Sequence, residues 1–327
     1  MCNMEFGILS TANIGQKAVI PAISKSEHTV GAIASRDQSL AAKVADAYDI
    51  PRVYGSYHNL LSDTKLDAVY IPLPNSLHGK WIKKAADAGL NILCEKPLTA
   101  NAEEAVTVAE YCDDRDVTLM EAFMYQYNPR TERVLEIASS KLDTVRSITA
   151  TFKFSISDSP DDIRLNPKLA GGSLMDVGCY PVSLVRQVLG EPDSVYAHTD
   201  DSRSCGVDTE LAGILTYSNG ASARIASGFD TPKIQTFRIE ATNGYISVSD
   251  AFDTPADDQL LLKYEIDGET TVERFAPTDQ YLLQIEHFAD SIRSDRQPRT
   301  DATEAVANMR VIDALYESAA SQSLIEL

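Results

Sequence analysis

Asn91-Ile92-Leu93-Cys94-Glu95-Lys96-Pro97 decides how the chain is read, because an apolar run stops there at a carboxylate, an ammonium and a proline. A short apolar run bounded by polar residues suits a parallel strand covered on both faces. The carboxyl end of such a strand is a privileged place. Ligands of open α/β sheets sit outside these ends, where the strand order reverses. Lys96 would then project into a crevice, with Pro97 fixing the chain behind it. The Lys96-Pro97 bond, an X-Pro bond at a strand end, is a candidate for the cis form. Taken alone, Glu95 and Lys96 would be an ordinary solvated pair. The flanking segments argue otherwise.

Toward the amino terminus the same grammar repeats. Asp67 to Ile71 reads as a buried strand ending in Pro72-Leu73-Pro74-Asn75-Ser76-Leu77-His78, where two prolines stop it. Asn75 or Ser76 can cap the helix that turns Trp81 and Ala85 inward, and His78 falls on its first turn, facing back toward the strand ends. Glu5 to Leu9 is the first strand. It is followed by Ser10-Thr11-Ala12-Asn13-Ile14-Gly15 and a helix-compatible segment to about Ile23, the layout of a dinucleotide fingerprint. Ser10 and Ala12 stand where the first two glycines are usual and only Gly15 is retained. Small residues still let the backbone approach a pyrophosphate, whose charge is met by the helix amino terminus.

Thr29 to Ala34 is the next strand, ending in Ser35-Arg36-Asp37 roughly twenty residues past that turn. An acid at this point would hold the ribose 2′-hydroxyl of NAD, whereas Ser35 and Arg36 offer a donor and a fixed cation for a 2′-phosphate. The expectation is NADP, with NAD as the alternative. Asp37 would cap the next helix, with Leu40, Val44 and Ala47 as its buried stripe.

Toward the carboxyl terminus, Thr99 with Glu103 marks a helix start, and Val117 to Glu121 reads as the strand that completes a Rossmann-type sheet. Beyond Phe123 the grammar changes. Thr144 to Ile156 alternates as a strand, and Asn219-Gly220, Asn243-Gly244 and Asp267-Gly268 are hairpin signals that argue for an antiparallel sheet. The chain therefore reads as a parallel α/β domain over 1–122 and an α+β domain over 123–327. From about Gln280 to Ser321 it is helical and packs back, with Ile285, Phe288 and Ile292 on one face and Ala305, Met309 and Ile312 on another.

The stretch Ala170-Gly171-Gly172-Ser173-Leu174-Met175-Asp176-Val177-Gly178-Cys179-Tyr180-Pro181 places Asp176 and Tyr180 four apart on one helical face. A carboxylate and a phenol facing a lysine would make an acid/base site. The same spacing also suits a plain amphipathic helix entered through a glycine loop.

Composition narrows the partners. At 327 residues and 44% hydrophobic the chain can fill two cores. No apolar run approaches the roughly 20 residues of a membrane span, and Met1 to Glu5 shows no signal pattern, so a cytoplasmic protein is expected. The five cysteines are scattered without a Cys-x-x-Cys pair, which indicates reduced thiols, no disulfide framework and no metal site. A net charge of −19 and a pI near 4.6 speak against nucleic acid and anionic membrane as partners. The acid is spread through Asp113-Asp114, Asp161-Asp162, Asp200-Asp201 and Asp257-Asp258, a pattern that suggests a salt-loving, halophilic host.

Four pieces in order, the turn at 10–15, Pro72-Leu73-Pro74-Asn75 with His78, Glu95-Lys96-Pro97, and Gly171 to Tyr180, give the chain its resemblance. It resembles the glucose-fructose oxidoreductase / inositol dehydrogenase / rhizopine-catabolism (Gfo/Idh/MocA) family of NAD(P)-dependent oxidoreductases along nearly its whole length. The resemblance implies an N-terminal Rossmann domain with a doubly wound parallel sheet. A C-terminal α+β domain would follow, carrying a large open-faced, mainly antiparallel sheet that often mediates homodimers or homotetramers.

Within this resemblance Lys96 matches the catalytic lysine. Tyr180 takes the position of the general acid/base, where inositol-dehydrogenase-like members carry histidine, and Asp176 completes the implied catalytic set. Implied cofactor contacts are Ser10, Ala12, Asn13, Ile14, Gly15, Ser35, Arg36, Leu73, Asn75, His78, Glu95, Lys96 and Glu121. Implied substrate contacts are Lys96, Phe154, Arg164, Asp176 and Tyr180. Tyr180, Ser35-Arg36 and Met120-Glu121-Ala122-Phe123 point to NADP-dependent sugar 1-dehydrogenases, which act on C1 of a pentose or hexose and give the aldonolactone. An NADPH-dependent carbonyl reductase or trans-dihydrodiol dehydrogenase is the runner-up. A non-catalytic dinucleotide-binding regulator is the reading from another class, and it would need no proton-transfer pair.

Overall fold

Six short segments build the first sheet: β1 (Glu5–Leu9), β2 (Thr29–Ala34), β3 (Arg52–Tyr54), β4 (Ala68–Ile71), β5 (Asn91–Glu95) and β6 (Leu119–Ala122). In the computed structural model, which describes residues 3–156 and 162–327, all six pair in parallel in the order β3-β2-β1-β4-β5-β6. The chain runs outward from β1 to β3, then returns to lay β4 against the other side of β1. The strand order reverses there, which opens the ligand crevice of a doubly wound sheet. β4 is buried throughout, and Phe6, Ile8, Ile92 and Leu93 are fully enclosed, as strands covered on both faces require.

The connecting helices bury small side chains against these strands. In Gln38–Tyr48 the covered residues are Ala41, Val44 and Ala45, while Leu40 and Ala47 are exposed. Of the expected stripe Val44 is buried and Leu40 and Ala47 are not, because Asp37 caps the helix and sets Leu40 on its outward first turn. The helix Asn75–Asp87 starts without a side-chain cap, and Ala102–Asp113 is capped by Asn101 instead of Thr99.

Two compact units make up the chain: Met1–Met124 with Asp279–Val306, and Tyr125–Thr278 with Ala307–Leu327. The segment Asp279–Val306, expected within the 123–327 domain, groups with the parallel sheet. Phe288 packs on Phe6 with ring centres 6.0 Å apart, and Thr300 Oγ1 donates to the carbonyl of Glu121 at 2.6 Å.

In the second unit, β7 (Val145–Lys153), β8 (Ser194–Asp200), β9 (Glu210–Thr216), β10 (Ser222–Gly228), β11 (Ile234–Ala241), β12 (Gly244–Ser249), β13 (Leu260–Ile266), β14 (Glu269–Phe275) and β15 (Ile325–Glu326) form one sheet. Its order is β14-β13-β12-β11-β7-β10-β9-β8-β15. Only β7 and β10 run parallel; the three Asn-Gly and Asp-Gly signals turn the hairpins β9/β10, β11/β12 and β13/β14. Alternation gives the sheet two unlike faces. Ile148, Ala150 and Phe152 of β7 are buried beneath the helix Cys179–Leu189, whereas the row Tyr196, Ile214, Arg224 and Thr149 is exposed on the opposite face.

Among the described residues no helix is long and apolar enough to cross a membrane. Among the described residues Cys94, Cys112, Cys179 and Cys205 are outside any disulfide, and Cys2 lies outside the described residues.

Candidate active site

The turn after β1 shows how a degraded fingerprint keeps its shape. Ser10 has φ +144°, a conformation that favours glycine. Its hydroxyl earns that strain back by donating to the Pro72 carbonyl at 2.9 Å and accepting from the Ala12 N–H at 3.1 Å. The two turns at the point of strand reversal are thereby tied together. A π-helical turn, Gly15–Val19, follows before the α-helix Ile20–Lys25. The N–H groups that open this helical segment at Asn13, Ile14 and Gly15 lack intrahelical acceptors, an arrangement that takes a phosphate.

At the end of β2 the acid and the base have separate tasks. Asp37 accepts from the Ser39 N–H and hydroxyl (2.9 and 2.6 Å) and from the Leu40 N–H, bonds that hold its carboxyl below the usual range. Its carboxylate is thus committed to the helix start. Arg36 is exposed beside the Tyr57 hydroxyl, and Ser35 accepts from the Asp37 N–H at 3.2 Å. A cation and a hydroxyl with no uncommitted acid fit a 2′-phosphate.

Glu95, Lys96 and Pro97 form a turn clamped from below, with the Lys96-Pro97 bond cis. The Tyr70 hydroxyl donates to Glu95 Oε1 at 2.6 Å, and the Leu98 N–H donates to Glu121 Oε1 at 2.8 Å. His78 lies between two carbonyls, with Nδ1 3.0 Å from the Pro97 oxygen and Nε2 2.7 Å from the Leu73 oxygen. Burial, together with the Glu95 carboxylate, pushes the Tyr70 phenol well above its ordinary range. His78 and Glu121, expected among the cofactor contacts, are 0% and 2% exposed and support the turn from the helix Asn75–Asp87 and from β6. Leu73 is buried while Asn75 is half-buried at the first turn of its helix.

In the second unit, Gly171 and Gly172 lead through Ser173 into a π-helical turn, Leu174–Gly178, continuous with the α-helix Cys179–Leu189. Such widened turns recur at functional sites. Asp176 Oδ2 accepts from Arg164 Nε at 2.8 Å, and the guanidinium, whose pKa this carboxylate raises, lies 5.8 Å from the centre of the Phe154 ring. The unit thus brings Phe154, Arg164 and Asp176 together. Tyr180, 3% exposed, is set among Phe152, Phe252 and Tyr125 with ring centres 5.3, 5.6 and 5.7 Å away. Gly178 lies between the acid and the phenol, where the helix meets β10. A Cβ there would lie 2.9 Å from Ser227 Oγ, so the helix can press on β10 only without a side chain.

Three supporting residues carried no signal in the sequence: Tyr70, Asp208 and Tyr316. Each is a single polar residue without a spacing pattern, and only burial distinguishes it.

Chemically, the parallel sheet offers a phosphate-binding turn, a 2′-phosphate subsite and an ammonium at a strand end. The second unit offers a carboxylate–guanidinium pair for hydroxyl groups and a phenol in aromatic surroundings. Residues 4–123 match the model of the oxidoreductase family with an NAD-binding Rossmann fold, and residues 136–247 match the GFO/IDH/MocA C-terminal domain. D-xylose 1-dehydrogenase (NADP(+)) 2 of Haloferax volcanii is 53% identical over 324 residues, covering 99% of this chain and 100% of its own. Trans-1,2-dihydrobenzene-1,2-diol dehydrogenase of Sus scrofa is 30% identical over 267 residues, covering 80% and 78%. The crystal structure of KijD10, a 3-ketoreductase from Actinomadura kijaniata in complex with NADP and TDP-benzene, superposes with a TM-score of 0.91 at 27% identity, covering 97% and 98%.

Proposed function

Because the chain belongs to the GFO/IDH/MocA oxidoreductase family and is a dehydrogenase with a cofactor site suited to NADP, we propose that it oxidises C1 of an aldose, a pentose such as D-xylose, to the aldonolactone. The observation that carries the sugar reading is the Arg164–Asp176 pair, a charged donor and acceptor fit for vicinal hydroxyls. Of the two rings that would favour a hydrophobic diol, Phe154 is half-buried beside Arg164, and Tyr125 is fully buried, with its hydroxyl 2.9 Å from Ser183 Oγ.

The chemistry assigned to this chain is proton transfer and orientation. Bound NADP would accept the hydride leaving C1. Tyr180, as phenolate, takes the proton of the anomeric hydroxyl, so the carbon–oxygen bond becomes a carbonyl and the lactone is released. A phenol near pKa 10 is a poor base at neutral pH, and an ammonium within about 4–6 Å favours its ionised form. That is the role proposed for Lys96. Asp176 and Arg164 orient the ring hydroxyls.

The exposed row Tyr196, Ile214, Arg224 and Thr149 supports association of copies through the open sheet face, as a homodimer or homotetramer. The net charge of −19 supports an enzyme of a salt-rich host. Its melting temperature is expected to climb steeply from low salt to molar potassium chloride, and a flat response would remove the halophilic reading.

The function is tested by following nicotinamide absorbance in high salt, with NADP and NAD, across pentoses, hexoses, inositols and dihydrodiols. NADP reduction with D-xylose or another aldose, but not inositol, is the expected result. Turnover of dihydrodiols alone would transfer the assignment to the diol dehydrogenase branch.

A further inference from the structure

Resting on the assignment of Tyr180 and Asp176 to catalysis, we infer that Asp208 and Tyr316 are positioning residues that set the helix carrying both groups. Asp208 lies two residues before the start of β9 and is 7% exposed, and Tyr316 comes from the helix Ala302–Ser321. The carboxylate accepts three hydrogen bonds: Oδ2 from the Ser173 hydroxyl at 2.7 Å and from the Leu174 N–H at 2.8 Å, and Oδ1 from the Tyr316 hydroxyl at 2.7 Å. Its backbone carbonyl accepts the Ser173 N–H at 2.8 Å. The Tyr316 oxygen in turn takes the Met175 N–H, and the Arg164 carbonyl takes the N–H of Gly172, the residue that opens the helix, at 2.8 Å.

Four consecutive N–H groups at the start of a helix ordinarily lack partners. Here each one has an acceptor, and two of the four acceptors belong to Asp208. Fixing these amides fixes the rotation and depth of the π-helical turn, and with it the directions of the Asp176 carboxylate and the Tyr180 ring.

The surroundings pack closely against the helix start. Gly172 has φ +120°, and a Cβ on it would lie 2.2 Å from Asp208 Oδ1 and 2.8 Å from the Tyr316 oxygen. Ser173 is fully buried and its hydroxyl also meets Ser227 Oγ on β10 at 2.9 Å. A buried carboxylate paired only with hydroxyls and amides is costly to keep. The positive end of the helix offsets part of that cost. A neutral side chain would cap a helix end about as well for stability alone, so a carboxylate at this position points to control of the geometry of the groups that follow.

The test compares Asp208→Asn and Tyr316→Phe with the parent and with Tyr180→Phe, using NADP and the aldose the parent turns over fastest. Rates are counted per NADPH-binding site, measured by fluorescence titration, so loss of folded protein drops out. For Asp208→Asn and Tyr316→Phe, kcat should fall roughly ten-fold, since small misplacements of reacting groups are expensive. NADPH affinity should stay within about two-fold of the parent, and the limb of the kcat–pH profile belonging to the proton acceptor should be displaced. An unchanged kcat per site with an unchanged pH profile overturns the inference, whatever happens to Tm. Should either variant fail to bind NADPH, Ser173→Ala, which removes one hydroxyl from the same network, is judged by the same criteria. If Tyr180→Phe keeps full turnover, the catalytic assignment itself fails. If Tyr180→Phe is inactive while the Asp208 and Tyr316 variants behave as the parent, only this inference fails.

Discussion

The Glu95-Lys96-Pro97 turn and the helix start at Ser173 each carry a group to which the proposed chemistry is assigned, and they are held in different ways. The turn is supported from its own sheet: Tyr70, His78 and Glu121 lie 25, 19 and 23 residues from the groups they bind, on neighbouring strands or the helix between them. The helix start is supported by Asp208, 35 residues beyond Ser173, and by Tyr316, a further 108 residues along. A parallel sheet supplies neighbours to its strand ends as a consequence of its topology. A helix end has no such supply, and its orphan amides must be met by whatever the rest of the unit brings to them. The lysine is therefore fixed by local architecture and the phenol by long-range contacts.

The largest expected effect removes what the two regions present. Lys96→Ala and Tyr180→Phe should each lower kcat by at least roughly 10²-fold, the loss typical of a positioned acid/base group, with NADPH affinity largely kept. Steady-state kinetics beside fluorescence titration of NADPH checks both. Near-normal turnover in either variant would remove that region from the chemistry and leave the comparison with one side.

How much of this was legible in the sequence follows the same division. The strands β1, β4 and β5, the turns that end them and the three hairpins could be read because each depends on residues within a few positions of one another. Lys96, Asp176 and Tyr180 stood out because they sit in such local patterns. Periodicity places Leu40 inward, since it shows where a stripe can lie but not which residue a cap turns outward. The parallel pairing of β7 with β10 left no mark, since two alternating strands look alike whichever way they pair. Asp208, Tyr316 and the supporting role of Glu121 were invisible because an acid or a phenol gains such a role only when folding closes the surface over it.

A smaller effect sharpens the contrast at the turn. Glu121→Ala strands the buried Leu98 N–H, which should cost about 1–3 kcal/mol of stability, read as a shift of the urea midpoint. Glu121→Gln keeps an acceptor of nearly the same shape and should cost less. Equal losses would mean that the charge, and not the hydrogen bond to the turn, is what β6 supplies.

The smallest expected effect separates the two regions by the sign of their pH dependence. Burial pulls the His78 imidazole below its ordinary value near 6.5, so the folded protein binds fewer protons there than the unfolded chain. The stability it contributes is present above that ordinary value and is lost as pH falls through the folded one. Burial pushes the Asp208 carboxyl above its ordinary value of 3.8, with Ser173 and Tyr316 resisting the shift. The folded protein binds more protons there, so the contribution is complete below the ordinary value and declines as pH rises through the raised one. Across mildly acidic pH the two supports therefore pull the melting temperature in opposite directions. His78→Gln should remove a rising slope and Asp208→Asn a falling one when Tm is followed from about pH 4 to 7. Slopes of the same sign in the two variants would mean that one of these groups is exposed to solvent in the working protein. The helix start would then be the first suspect, because its enclosure depends on contacts from distant parts of the chain.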